Sequence, residues 1–102
     1  MPAIHKIAIY STSHTDSYAK AVISLPRDYR ILSVGLQAET PVIWYENRDY
    51  PIETLPCSKV VVYFFYTGRE VCHFPQNFLG TLQKNGIVQH VYWQEDGLTL
   101  NI

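Results

Sequence analysis

Seven apolar or aromatic residues stand in a row at Val60-Val61-Val62-Tyr63-Phe64-Phe65-Tyr66, and Thr67-Gly68 closes the run. β-branched and aromatic side chains pack well on a pleated backbone, so the run predicts a strand. Alternate side chains of a strand point to opposite faces. Val60, Val62, Phe64 and Tyr66 therefore share one face, and Val61, Tyr63 and Phe65 the other. Both faces are apolar and both need cover, so this is the expected central strand of the domain.

The rest of the chain carries shorter period-2 patterns. Residues 3–10 alternate, with His5, Ile7 and Ile9 against Lys6, Ala8 and Tyr10. The Ser/Thr-rich stretch 11–17 reads as a loop. Residues 18–25 place Ala19, Ala21, Ile23 and Leu25 on one face. Ala and Lys there also suit a helix, but so short a segment favours a strand. Residues 30–38 set Leu32, Val34, Leu36 and Ala38 against Ser33, Gly35 and Gln37. A glycine inside a strand marks a bulge or the close approach of another group, and an aromatic ring lying over Gly35 is the simplest version.

Glu39-Thr40-Pro41 turns the chain into a strand at 42–46 that carries Trp44. Residues 47–58 show no periodicity and form a long excursion, which Tyr50 and Ile52 would pin to the sheet. After the central run, a tight turn at 67–70 leads to a short expected strand at Val71-Cys72-His73-Phe74, broken by Pro75. Residues 78–83 and 87–94 then form a hairpin through Lys84-Asn85-Gly86, since Asn-Gly between two strand-like runs is the strongest short-range hairpin signal. Residues 98–102 would add an edge strand or fray.

The sum is one all-β domain over 1–102, a small antiparallel meander of about seven strands folded into a sandwich or open barrel. The competing architecture is α+β, with one short helix at 15–25 or near Pro75–Phe78.

Composition changes this picture in one respect. Charged residues make up 17% of the chain, against about 25% in a typical domain. Two Trp, four Phe and eight Tyr are present. A surface with few charges and many tyrosines suits contact with a partner or a second copy, because Tyr presents an apolar body and a polar tip. The formal net charge is −1 with no basic run, which argues against nucleic acid, whose phosphates call for clustered Lys and Arg. No apolar run is long enough to span a bilayer as a helix, and no secretory leader pattern opens the chain. The expected setting is a reducing cytoplasm with Cys57 and Cys72 as free thiols.

Linear signatures of catalysis are absent: no GxSxG, no Gly-rich phosphate loop, no CxxC and no HExxH. The expectation is a non-enzymatic protein with no cofactor. An unrecognised hydrolase would have to use His90, or His73 with Cys72. Cys72 and His73 are adjacent and point to opposite faces of a strand, which suits a shared metal poorly. His90 shares a face with Tyr92 and Gln94 and offers a polar binding surface or simply the wetter side of a strand. His14-Thr15-Asp16 offers hydroxyls and a carboxylate, though a solvated loop explains it as well. Tyr63, Phe65 and Tyr45 would make a stacking platform for a base, and Arg30, Arg48 or Arg69 would supply a cation. The candidate binding residues are Tyr45, Arg48, Arg69, His90 and Tyr92.

Five segments carry a resemblance. They are Ile31-Leu32-Ser33-Val34 with Gln37, Pro41-Val42-Ile43-Trp44-Tyr45, Tyr66-Thr67-Gly68, Phe78-Leu79-Gly80-Thr81-Leu82-Gln83 and Val88-Gln89-His90-Val91-Tyr92. In this order they make the chain from Leu25 to Trp93 similar to a family of small uncharacterised proteins of bacteriophages and prophages. The resemblance implies a phage context and supplies no catalytic residue. With the composition, it leads to the expectation of an accessory protein acting in the host cytoplasm by non-covalent binding. It would inhibit or sequester a host protein and work as a homo-oligomer. The alternatives are a binder of a small nucleotide-like molecule and a phage structural or assembly protein.

Overall fold

The computed structural model describes residues 2–47 and 57–96. Eight strands follow one another: β1 Ala3–Ala8, β2 Ser13–His14, β3 Tyr18–Pro26, β4 Tyr29–Gln37, β5 Thr40–Asn47, β6 Cys57–Tyr66, β7 Asn77–Lys84 and β8 Ile87–Glu95. They form two antiparallel sheets, one of order β1-β5-β4 and one of order β2-β3-β6-β8-β7. The sheets pack as an open sandwich, the all-β class that the alternating patterns predict. Segment 18–25 is strand, not helix. Ala19, Ala21, Ile23 and Leu25 are all buried while Val22 and Ser24 are exposed, a period of two that no helix can satisfy.

β6 is the middle strand of the larger sheet, paired with β3 from Tyr18↔Phe65 to Pro26↔Cys57 and with β8 from Val60↔Glu95 to Tyr66↔Gln89. Its inner face contributes Val60, Val62 and Phe64 to the main core. There they meet Ile43 of β5 and the half-buried Ile31, Val34 and Leu36 of β4. The two-residue hairpins β4–β5 and β7–β8 connect sequence neighbours. β1 joins β5, and β6 inserts between β3 and β8, through crossovers.

Two bulges interrupt the ladders, and the first corrects a predicted face. In β4 the register shifts between Ile31 and Ser33. The extra residue puts Ile31 and Val34 on the core side together and turns Leu32, expected inside, out to solvent at 39% exposure. A bulge inserts one unpaired residue and so reverses the phase of the alternation. Ala38, expected on the same apolar face, lies in the β4–β5 turn at φ 48°. A second bulge in β7 falls between Phe78 and Gly80. Beyond it Gly80 faces β4 so closely that a Cβ there would lie 3.1 Å from Val34 Cγ1. The sandwich is drawn together along this β4–β7 edge. Gly35 has the ring that its position suggests, since a Cβ there would meet Trp44 Cζ3 at 3.1 Å.

Val71–Phe74 is not a strand. β8 lies between β6 and β7, so the chain leaving β6 must cross the sheet before it can begin β7. It does so as irregular backbone, and this puts Val71 and Phe74 over the outer face of β6 and β8. Arg48, Tyr50, Ile52 and the tail 98–102 lie outside the described residues.

Candidate functional site

The outer face of the five-stranded sheet carries six linked aromatic rings. Alternation places Tyr63 and Phe65 of β6 on this face, and their rings lie nearly parallel at 5.7 Å. Cross-strand pairing brings Tyr18 of β3 opposite Phe65, 5.5 Å from its ring and 5.8 Å from that of Tyr63. On the other flank Tyr63 faces Tyr92 of β8. The Tyr92 ring meets Phe65 at 5.5 Å edge-on, Phe78 of β7 at 5.1 Å and the crossing residue Phe74 at 5.2 Å. Offset and edge-to-face pairs of this kind add to the energy of burial. Tyr63 and Phe65 are buried beneath their neighbours, at 6% and 3% exposure. Phe74 and Phe78 remain open at 54% and 56%.

Polar groups frame this cluster. Gln94 is buried and its Nε2 donates to the Tyr63 hydroxyl at 3.1 Å. Burial, ahead of all other causes, raises the Tyr63 pKa above its ordinary value. His90 has both ring nitrogens engaged: Nε2 is 2.8 Å from Thr67 Oγ1 and Nδ1 is 3.0 Å from Thr81 Oγ1. A neutral imidazole has one donor and one acceptor nitrogen, and a hydroxyl can serve either. The ring thus ties β8, β7 and the turn after β6 together. That turn runs from Tyr66 to Arg69, closed by the Arg69 amide donating to the Tyr66 carbonyl at 3.3 Å. Gly68 at φ 83° supplies the positive φ at the third position that a type II turn needs. Ser17 braces it from β3's side, its carbonyl accepting from the Tyr66 amide and its hydroxyl donating to the Glu70 carbonyl.

Together these elements enclose a recess of about 190 Å³. Phe65, Phe74 and Tyr92 form its apolar wall, and Thr67, Arg69 and His90 its polar rim. On the far side of Arg69 lies a shallower depression that also takes in Thr15 and Asp16. Thr15 Oγ1 accepts from the amides of Ser17 and Tyr18, so its hydroxyl builds the local turn. Arg69 is exposed and has no ion pair among the described residues.

Of the five sequence candidates, Arg69, His90 and Tyr92 converge on this recess. Tyr45 does not: it packs on the main core from the smaller sheet, beside His5 at 5.5 Å. Arg48 is outside the described residues. Arg30 pairs with Glu46 at 3.6 Å on the smaller sheet. Tyr63, Phe65 and Tyr45 therefore make no common exposed platform. Sequence reasoning missed Phe74 and Phe78, whose only signal was a phenylalanine on each side of the break at Pro75-Gln76-Asn77. Cys72 is an exposed free thiol, and among the described residues no cluster of three or more His, Cys, Asp or Glu could hold a metal ion. No described helix is long and apolar enough to cross a membrane.

No curated protein matches the chain, and no solved structure matches it. A family model does match, that of the domain of unknown function DUF7352, over residues 1–99. With nearly the whole chain and all eight strands inside the match, the protein belongs to the DUF7352 family.

Proposed function

We infer that the protein is a non-enzymatic binding module that engages a host protein through the aromatic outer face of its five-stranded sheet. The observation that carries this reading is the corner formed by Phe74 and Phe78. Both are more than half exposed, and both are held against Tyr92, which rests on buried Phe65. Rigid aromatic rings flanked by an arginine are the groups that dominate protein interfaces, because they bury much area at little cost in side-chain entropy. Arg69 is that arginine. The recess beside it is smaller than the roughly 300–1,000 Å³ of usual small-molecule sites. The recess matches a partner's side chain in size, and the larger depression across Arg69, about 580 Å³, is open to solvent and does not enclose a ligand, which favours a protein surface over a nucleotide-like molecule. The resemblance to phage proteins suggests an accessory role in an infected cell, acting in the host cytoplasm on a host factor. The same aromatic face would serve association between copies.

The test is a comparison of wild-type protein with Phe74→Ser and Phe78→Ser, each recovered from bacterial lysate under mild conditions and weighed by native mass spectrometry. Partner or second-copy mass that is present with wild type and lost with both variants supports the reading. Mass retained by the folded variants, or a bare monomer throughout, overturns it.

A further inference from the structure

A second concave site lies in the sandwich itself and is independent of the outer face. The two ends of the sandwich are finished differently. At one end Tyr29 Oη donates to Glu95 at 2.7 Å and its ring packs edge-on to Trp93 at 5.9 Å, which clasps β4 to β8. At the other end, where the β4–β5 and β7–β8 turns lie, the layers part around a cavity of about 450 Å³. This is within the range of roughly 300–1,000 Å³ typical of small-molecule sites.

Phe64 and Ile9, both 2% exposed, belong to its lining from the core side. Ile87 and Tyr10, 54% and 71% exposed, flank it nearer solvent. The polar lining includes one carboxylate, Glu39, and one ammonium, Lys84. Neither has an ion pair or side-chain hydrogen bond among the described residues. Glu39 reaches this position from a turn in which it and Ala38 hold φ values of 65° and 48°. Such a turn favours Asn-Gly, and Asn85-Gly86 fills the matching turn on the other side of the cavity. A charged residue with a Cβ, kept in a left-handed conformation at the rim of a cavity, is the pattern expected where strain serves a site.

We propose that this cavity binds a free α-amino acid with an aromatic or branched apolar side chain. The side chain enters toward Phe64 and Ile9, the ammonium meets Glu39 and the carboxylate meets Lys84. The two lining charges are opposite in sign, as are the two charged groups of a free amino acid.

The experiment is an amide-resolved NMR titration of the intact protein with L-phenylalanine, L-phenylalaninamide and N-acetyl-L-phenylalanine. The amino acid should shift resonances at Phe64, Ile87 and Gln89. Its two derivatives, each lacking one charge, should bind about tenfold more weakly, the worth of one charge-assisted hydrogen bond. Lys84→Gln should erase the difference between the amino acid and its amide. Glu39→Gln should erase that between the amino acid and its N-acetyl form. Spectra unchanged away from the cavity establish that each variant is folded. Absence of shifts at millimolar ligand, equal binding of all three compounds, shifts confined to the outer face, or variants that keep the wild-type ranking would each overturn the proposal. The three-ligand comparison on wild-type protein decides the matter even where a variant fails to fold.

Discussion

β6 buries both of its faces to the same depth by different means. Phe64 on the inner side and Phe65 on the outer side are 2% and 3% exposed. Phe64 lies under a second sheet whose strands are locked by their own ladders of hydrogen bonds. Phe65 lies under side chains alone: Tyr18 and Tyr92 from neighbouring strands, and Val71 and Phe74 from the irregular crossing after β6. Equal exposure does not mean equal stability. A cover made of backbone in regular pairing opens only with the fold, whereas one made by a connection can open by itself. The first kind of burial builds a core, and the second leaves a face that a partner can reorganise.

The largest expected effect tests this contrast directly. Phe64→Ala should cost about 3–5 kcal/mol, the range for a large aromatic removed from a core that cannot close over the gap. Phe65→Ala should cost about 2 kcal/mol, because the crossing segment can settle into the space and the penalty falls with the residual cavity. Urea unfolding of the two variants gives both values. Equal costs would mean that the outer cover is as rigid as the second sheet, and the contrast would fail.

Next in size is the histidine that pins the crossing at its start. His90→Ala removes the partner of both Thr67 and Thr81, with an expected loss of about 1 kcal/mol for two exposed hydrogen bonds. The more telling readout is local. Amide exchange at 67–70 should quicken while exchange in β5 stays as it was. Uniform acceleration across both sheets would show that the outer cover and the inner core open as one unit.

These faces were legible in the sequence to different degrees, for physical reasons. Where a strand alternates apolar with polar, as in β3, its face could be read directly. In β8 the same alternation put His90, Tyr92 and Gln94 together, and the structure finds them on one face. β5 reads Val42-Ile43-Trp44-Tyr45, apolar on both sides, so nothing in the pattern said that Tyr45 turns inward and away from Arg69. In β4 the pattern was present but its phase was reversed by the bulge near Leu32, which depends on pairing with β5 and leaves no trace in residue types. The crossing at 71–74 was the least legible. Val71 and Phe74 carry strand-like chemistry, and only the strand order, with β8 between β6 and β7, forbids them a strand. The exposed half of the candidate surface, Phe74 and Phe78, is therefore the half that depends most on topology.

An effect no larger, and of opposite sign, is expected at the turn end of the inner layer. Glu39→Gly places at φ 65° a residue that adopts this conformation freely. Relief of left-handed strain, worth roughly 1–2 kcal/mol per residue, should exceed the extra chain entropy of glycine and leave a net gain of about 1 kcal/mol. Gly86→Ala in the matching turn, at φ 77°, should lose a similar amount. Thermal melting of the pair checks both signs. A neutral Glu39→Gly would mean that Glu39 makes a compensating contact, and the contrast between the turns would vanish.

The smallest effect separates inner from outer tyrosines by pH. Tyr29 and Tyr45 pack on the inner core and Tyr63 on the outer cluster. In all three, burial is the leading cause of a raised pKa. Tyr29 is driven furthest, because its hydroxyl also donates to the Glu95 carboxylate, which opposes a second negative charge beside it. For Tyr63 the bond from Gln94 favours the phenolate and works against the rise. A raised pKa means that the folded state holds the proton more tightly than the unfolded state. The stabilisation is then complete below the ordinary tyrosine value of about 10 and declines as pH climbs past it. Stability should thus be level near neutrality, begin to fall at about pH 10, and go on falling until the pH passes the raised folded-state values. Tyr29→Phe should flatten that fall more than Tyr63→Phe, although each variant begins from a lower plateau. Tyr29 is half-buried and Tyr63 is buried, and resolving the two slopes needs urea midpoints measured at close pH intervals. If Tyr63→Phe flattened the alkaline limb as much as Tyr29→Phe, burial under the outer cover would be outweighing the bond from Gln94, and the difference between the two faces of β6 would lie only in their mechanical support.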